Sequence, residues 1–105
     1  VIWDSPEIYK QTDARYGRIP FKPNDQYVGR SLDLYGEFSE GEGELFRQVV
    51  EPNSVVLDVG ANTGCHTVVM AQAMENSGRI IAIEPQRLIY QMLCANVALN
   101  SLFNV

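Results

Sequence analysis

The segment that most restricts the fold is Asp58-Val59-Gly60-Ala61-Asn62-Thr63-Gly64. It leaves a Val-rich apolar run, SVVLDV at 54–59, and enters a helical pattern over about 64–76. The apolar run reads as a buried strand. A second branched run, RIIAIE at 79–84, follows, and Pro85 stops it. Strand, glycine turn, helix and strand over Ser54–Glu84 have the length of one βαβ unit, with parallel strands and a helix over one face. Residues 86–100 form a second helix with the inward stripe Ile89, Met92, Leu93 and Val97, in which Asn96 is an intruder. A third strand would begin near Val105.

The part before this unit is less regular. Residues 1–27 hold Pro6, Pro20 and Pro23 and keep no period for long, so they read as an irregular arm. Val1–Trp3, Ile8–Tyr9 and Ile19–Phe21 could anchor it to a core. Weak alternation over 27–36, with Leu32 and Leu34, suggests a short extended segment. A helix at about 41–50 follows. Ser39 and Glu42 stand at capping-box spacing, with an apolar stripe of Leu45, Phe46, Val49 and Val50. The expected organisation is an arm over 1–36 and the front of an α/β domain over 37–105. A 105-residue chain holds one modest core.

Composition narrows the partners. Thirteen Asp+Glu against eight Lys+Arg give a formal charge of −5, and no Lys/Arg run occurs. That argues against a dedicated nucleic-acid surface. No stretch approaches the roughly 18 apolar residues of a membrane helix, and no signal peptide opens the chain. Cys65 and Cys94 lie outside any CxxC or zinc-type set, so a reducing, cytoplasmic setting is expected and no metal site is read. Both cysteines read as small apolar fillers. An open sheet edge where a third strand is missing could be covered by a homo-oligomer.

The glycine turn carries the chemistry. In an open parallel sheet, ligands bind beyond the carboxyl ends of the strands. A P-loop needs GxxxxGK[ST], and no lysine stands at the required place. A dinucleotide fingerprint needs GxGxxG, but Asn62 and Cys65 occupy its second and third glycine positions. What remains is an acid followed by a loose glycine turn, suited to a nucleoside cofactor without pyrophosphate. Gly60 and Gly64 would let a ligand touch backbone, and N–H groups at the start of the 64–76 helix would donate to it. Asn62 tolerates a left-handed turn. Glu84, 20 residues after Gly64, is placed to accept ribose hydroxyls. An acidic pocket favours a cofactor with a positive centre, and S-adenosylmethionine fits best. An NAD-binding Rossmann-like enzyme and a non-catalytic, sheet-completing interaction module are the alternatives. His66, Asn96 and Asn100 read as packing or loop-satisfying residues.

VVLDVGANTGCHTVVMA, GRIIAIEPQ, LCANVALNSLFNV and, upstream, YGEFSEGEGELFRQVVEPNSVV resemble the FkbM-type family of S-adenosylmethionine-dependent methyltransferases over about residues 27–105. The resemblance implies a Rossmann-like class I methyltransferase fold, of which the chain spans the N-terminal part. It implies a cofactor loop of Asp58, Gly60, Ala61, Asn62 and Gly64, with Glu84 on the ribose and Pro85 and Gln86 beside the adenine. Tyr35, Glu37 and the Ser39–Glu42 stretch would close over the cofactor. Thr63 and Cys65 depart from the usual family residues. O-methylation of a small molecule or sugar is the activity implied.

Overall fold

The computed structural model describes residues 9–105. The anchors expected at Val1–Trp3 and Ile8, and Pro6, lie outside the described residues. The element order is β1 (Lys10–Ala14), β2 (Gly17–Phe21), α1 (Val28–Tyr35), α2 (Glu40–Val49), β3 (Val55–Val59), α3 (Cys65–Ala73), β4 (Arg79–Ile83) and α4 (Arg87–Leu99).

The βαβ unit forms as expected. β3 and β4 pair in parallel with Val55 opposite Arg79 and Val59 opposite Ile83. α3 is the central helix of the core. Its Val68, Met70 and Ala71, with Met74 just beyond, cluster with Ile80 of β4 and Leu102. Val56 and Ala82 close the cluster from the sheet, and Phe46 and Val50 from the α2 side. The Ile80 N–H donates to the Asn104 carbonyl at 2.7 Å, so the chain after α4 returns alongside β4.

The buried-strand reading needs correction. Only Val56 and Asp58 of β3 turn towards α3, while Val55, Leu57 and Val59 stand 72%, 64% and 74% exposed. Ile81 and Ile83 continue the same outward face. An unbroken apolar run is the pattern of a parallel strand whose two faces are both apolar. α3 accounts for one of those faces.

The irregular arm is largely a hairpin. β1 and β2 pair antiparallel across a two-residue turn at Arg15–Tyr16. Pro20 lies within β2, opposite Gln11. Proline is tolerated there because a two-stranded sheet has only edge strands. Ile19, Pro20 and Phe21 are buried because β2 is covered on both faces: Ile19 and Phe21 cluster with Val28, Leu32 and Cys65, while Pro20 faces Met92 and Ala95 of α4, so tertiary packing supplies what the local period lacks.

Residues 28–35 are helical, not extended. Val28, Gly29 and Leu32 are the buried positions, a helical spacing, and Leu34 is exposed. The Tyr27 N–H donates to the Asp25 side chain at 2.9 Å, a local turn that launches the helix. Gly36 ends it in a left-handed conformation, its N–H returning to the Leu32 carbonyl. Those two residues were the available sequence signals.

α2 begins one residue earlier than expected and without the capping box. Ser39 is left-handed (φ 51°) and makes no side-chain cap bond. Phe46 and Val50 of its stripe pack inward, whereas Leu45 and Val49 face out. Ion pairs hold its start to the hairpin instead. Arg15 bonds the Glu37 carboxylate and lies 3.3 Å from Glu40, and the Tyr16 hydroxyl donates to Glu40. That last bond raises the Tyr16 pKa, since the carboxylate holds the proton on the phenol. Among the described residues, no helix is long and apolar enough to cross a membrane.

Candidate functional site

The carboxyl ends of β3 and β4 lie side by side, and the turn from β3 to α3 sits over them. The Ile83 carbonyl accepts the Gly60 N–H at 2.9 Å and the Ala61 N–H at 3.0 Å. One Glu84 carboxylate oxygen accepts the Asn62 N–H at 3.0 Å, and the other accepts the Gln86 N–H at 2.9 Å. Asn62 is left-handed (φ 54°), and its side-chain oxygen takes the Thr63 N–H at 2.8 Å. The Gly64 N–H closes the turn on the Ala61 carbonyl at 3.0 Å. Asp58, at the inner face of β3, accepts the Thr67 hydroxyl at 2.6 Å.

The N–H groups of residues 60–64 are all engaged within the protein, so of the donors expected at the start of the helix that of Gly64 is already taken. Glu84 does double duty, since it shapes the turn as well as standing at the strand end.

The two glycines also part company. Both have positive φ, +79° at Gly60 and +92° at Gly64. A Cβ on Gly60 would have no protein atom within 4 Å, so this backbone is open to an outside molecule. A Cβ on Gly64 would stand 2.7 Å from Leu93 Cδ1 and 3.1 Å from Asn96 Nδ2. Gly64 is therefore needed for α4 to pack beneath the turn, not for ligand approach.

Of the other residues singled out, Ala61 is buried in the turn, and Pro85 and Gln86 are exposed beyond β4. Tyr35 is exposed at the end of α1. Glu37 borders the first turn of α3 along with Phe38, Cys65 and His66, but its carboxylate is taken by Arg15. His66 packs between the rings of Phe38 and Phe46, at centroid distances of 5.9 and 5.1 Å, with Nε2 3.5 Å from Glu42. Asn96 and Asn100 do satisfy neighbouring backbone. Asn96 donates to the Thr63 carbonyl and Asn100 to the Arg18 carbonyl, both at 2.9 Å. Thr67, the partner of Asp58, was missed by the sequence reading. A hydroxyl directly before the apolar run Val68–Ala71 was the signal for it.

The cysteines differ from each other. Cys65 is a buried filler as expected, but Cys94 is exposed. Burial pushes the Cys65 thiol up to about 11, so it stays neutral at physiological pH. Iodoacetamide applied to the native chain at pH 8 is expected to label Cys94 and spare Cys65, as read by peptide mass spectrometry. Equal labelling would mean that α3 opens readily.

A parallel strand pair, a glycine turn with one open backbone position and an acid at the end of the second strand make a Rossmann-like βαβ unit. Residues 42–105 match the protein-L-isoaspartate(D-aspartate) O-methyltransferase (PCMT) family, and the chain belongs to that family. A comparison with curated proteins gives no match. The family match overturns the FkbM resemblance. Acid, glycine turn and strand-end acid are what methyltransferases of this fold share, so those residues do not separate one family from another. The domain is S-adenosylmethionine-dependent, and the NAD alternative falls with that assignment.

Proposed function

We propose that this chain holds S-adenosylmethionine across the Gly60 turn, with its adenosine hydroxyls at Glu84, for methyl transfer to a carboxylate oxygen of the aspartyl or isoaspartyl type. The carrying observation is the open backbone at Gly60 beside the half-buried Glu84 carboxylate. The family description supports an O-directed acceptor of this kind. Small-molecule or sugar acceptors rested on the FkbM resemblance and lose their support with it.

When bound, the sulfonium supplies an electrophilic methyl group. The acidic pair Asp58 and Glu84 suits its positive charge. A carboxylate acceptor is already ionised at neutral pH, so it needs no strong base. The work left to the chain is to align the two reactants and exclude water.

Calorimetric titration with S-adenosylhomocysteine and with NAD tests the reading. The chain should bind the former and not the latter. Gly60→Ala should fold, because its methyl group meets open space, yet bind at least tenfold more weakly as that group enters the ligand's path. Undiminished affinity in this variant would remove Gly60 from the site. Methyl transfer to a sugar but not to an isoaspartyl peptide would overturn the acceptor class.

A further inference from the structure

The turn is held from below as well as from Glu84. Asn96 lies on α4 and is fully buried, at 0% exposure. Its Nδ2 donates to the Thr63 carbonyl at 2.9 Å. Asn100 Nδ2 faces three acceptors with its two N–H groups: Asn96 Oδ1 at 2.6 Å, the Asn96 backbone carbonyl at 2.9 Å and the Arg18 carbonyl in β2 at 2.9 Å. The two end groups are carbonyls, which only accept. That orients both side-chain amides, since turning either one would set oxygen against oxygen. The hairpin is shaped for this contact. A Cβ on Gly17 would stand 1.9 Å from Asn100 Oδ1, so a bare backbone there admits the side chain.

We infer that Asn96 and Asn100 are positioning residues, a two-amide relay through which the seating of the N-terminal hairpin on α4 sets the shape of the Asn62–Gly64 turn. The effect on cofactor affinity rests on the reading that this turn holds the cofactor. The effect on the turn itself does not. Both asparagines lie on the α4 side of the turn, away from the open Gly60 position. A buried amide hydrogen bond has few ways to be replaced by water, so cutting the relay frees Thr63 to move. The hairpin has a second tether, Gln72 Nε2 to the Tyr16 carbonyl at 2.7 Å, which bypasses the turn.

The test uses Asn100→Ala and Asn100→Asp, at a partly exposed position that leaves the core intact, with Gln72→Ala as the control. Amide hydrogen exchange is followed by NMR on the ligand-free chain, and S-adenosylhomocysteine affinity by calorimetry. Both Asn100 variants should speed exchange at Thr63 and Gly64 several-fold, leave Ile81 unchanged, and weaken S-adenosylhomocysteine roughly fivefold to tenfold. Gln72→Ala should do neither. Unchanged exchange at Thr63 and Gly64 in both Asn100 variants overturns the relay. So does equal loosening in Gln72→Ala, which would reduce it to general hairpin stability. If the Asn100 variants fail to fold, exchange in the unmodified chain under rising urea decides. Thr63 and Gly64 opening together with the β2 amides supports the relay, and independent opening overturns it. If the unmodified chain binds no S-adenosylhomocysteine, the cofactor reading fails, while the exchange measurements still judge the relay.

Discussion

Gly64→Ala is expected to remove a large part of the chain's stability. Two costs combine at this position. The backbone sits at φ +92°, where an L side chain is strained by about 1–3 kcal/mol. The new methyl would also stand 2.7 Å from Leu93 Cδ1, so α4 must shift or Leu93 must leave its rotamer, at about 1–3 kcal/mol more. A chain of this size has about 5–15 kcal/mol in total. The sum therefore takes a sizeable share of it, and the melting temperature should fall by more than about 10 °C. Urea denaturation followed by circular dichroism reads the loss directly. Gly60→Ala carries strain but no collision, so it should lose far less. If the two variants melt alike, crowding under Gly64 is relieved by small movements, and the different roles assigned to the two glycines are wrong.

Glu84→Ala is expected to act the other way, mainly on binding. The carboxylate holds the Asn62 and Gln86 N–H groups at 3.0 and 2.9 Å, and in the proposed binding mode it also accepts from the ribose hydroxyls. Hydrogen bonds to a charged group contribute about 1.5–3 kcal/mol. Affinity for S-adenosylhomocysteine should therefore fall by roughly 10- to 100-fold. Stability should fall by only about 1–2 kcal/mol, because Glu84 is half-buried and water can reach the two released amides. Glu84→Gln should recover part of the affinity, since an amide oxygen still accepts one bond. Calorimetry and thermal melting on the same samples separate the two effects. A melting temperature that drops sharply beside an unchanged dissociation constant would make Glu84 a structural residue of the turn.

The legible parts of the chain were those where local chemistry and period agree. Val55–Val59, Cys65–Ala73, Arg79–Ile83 and Arg87–Leu99 fall within a residue or a few of the expected spans. Gly60, Asn62 and Glu84 stand together at the strand ends as the spacing demanded. The family was not legible in the same way. The quoted motifs mark a methyltransferase turn, and the match over residues 42–105 assigns it to PCMT. The hairpin and α1 were misread for a different reason. Pro20 breaks a strand pattern only where its missing N–H is needed, and Leu32 with Leu34 fits an alternating period as well as a helical one over so short a span.

What the amino-acid order determined by itself was the parallel strand pair, the left-handed turn between β3 and α3, and the acid across from it. Branched runs, glycines and a proline dictate these through backbone sterics, which act over a few residues. What the tertiary structure alone decided was how each group is used. The same glycine type is open to a ligand at Gly60 and crowded by α4 at Gly64. Asn96 became a buried donor to a carbonyl 33 positions back. Contacts so distant in sequence exist only after the helices have packed, and no local pattern encodes them.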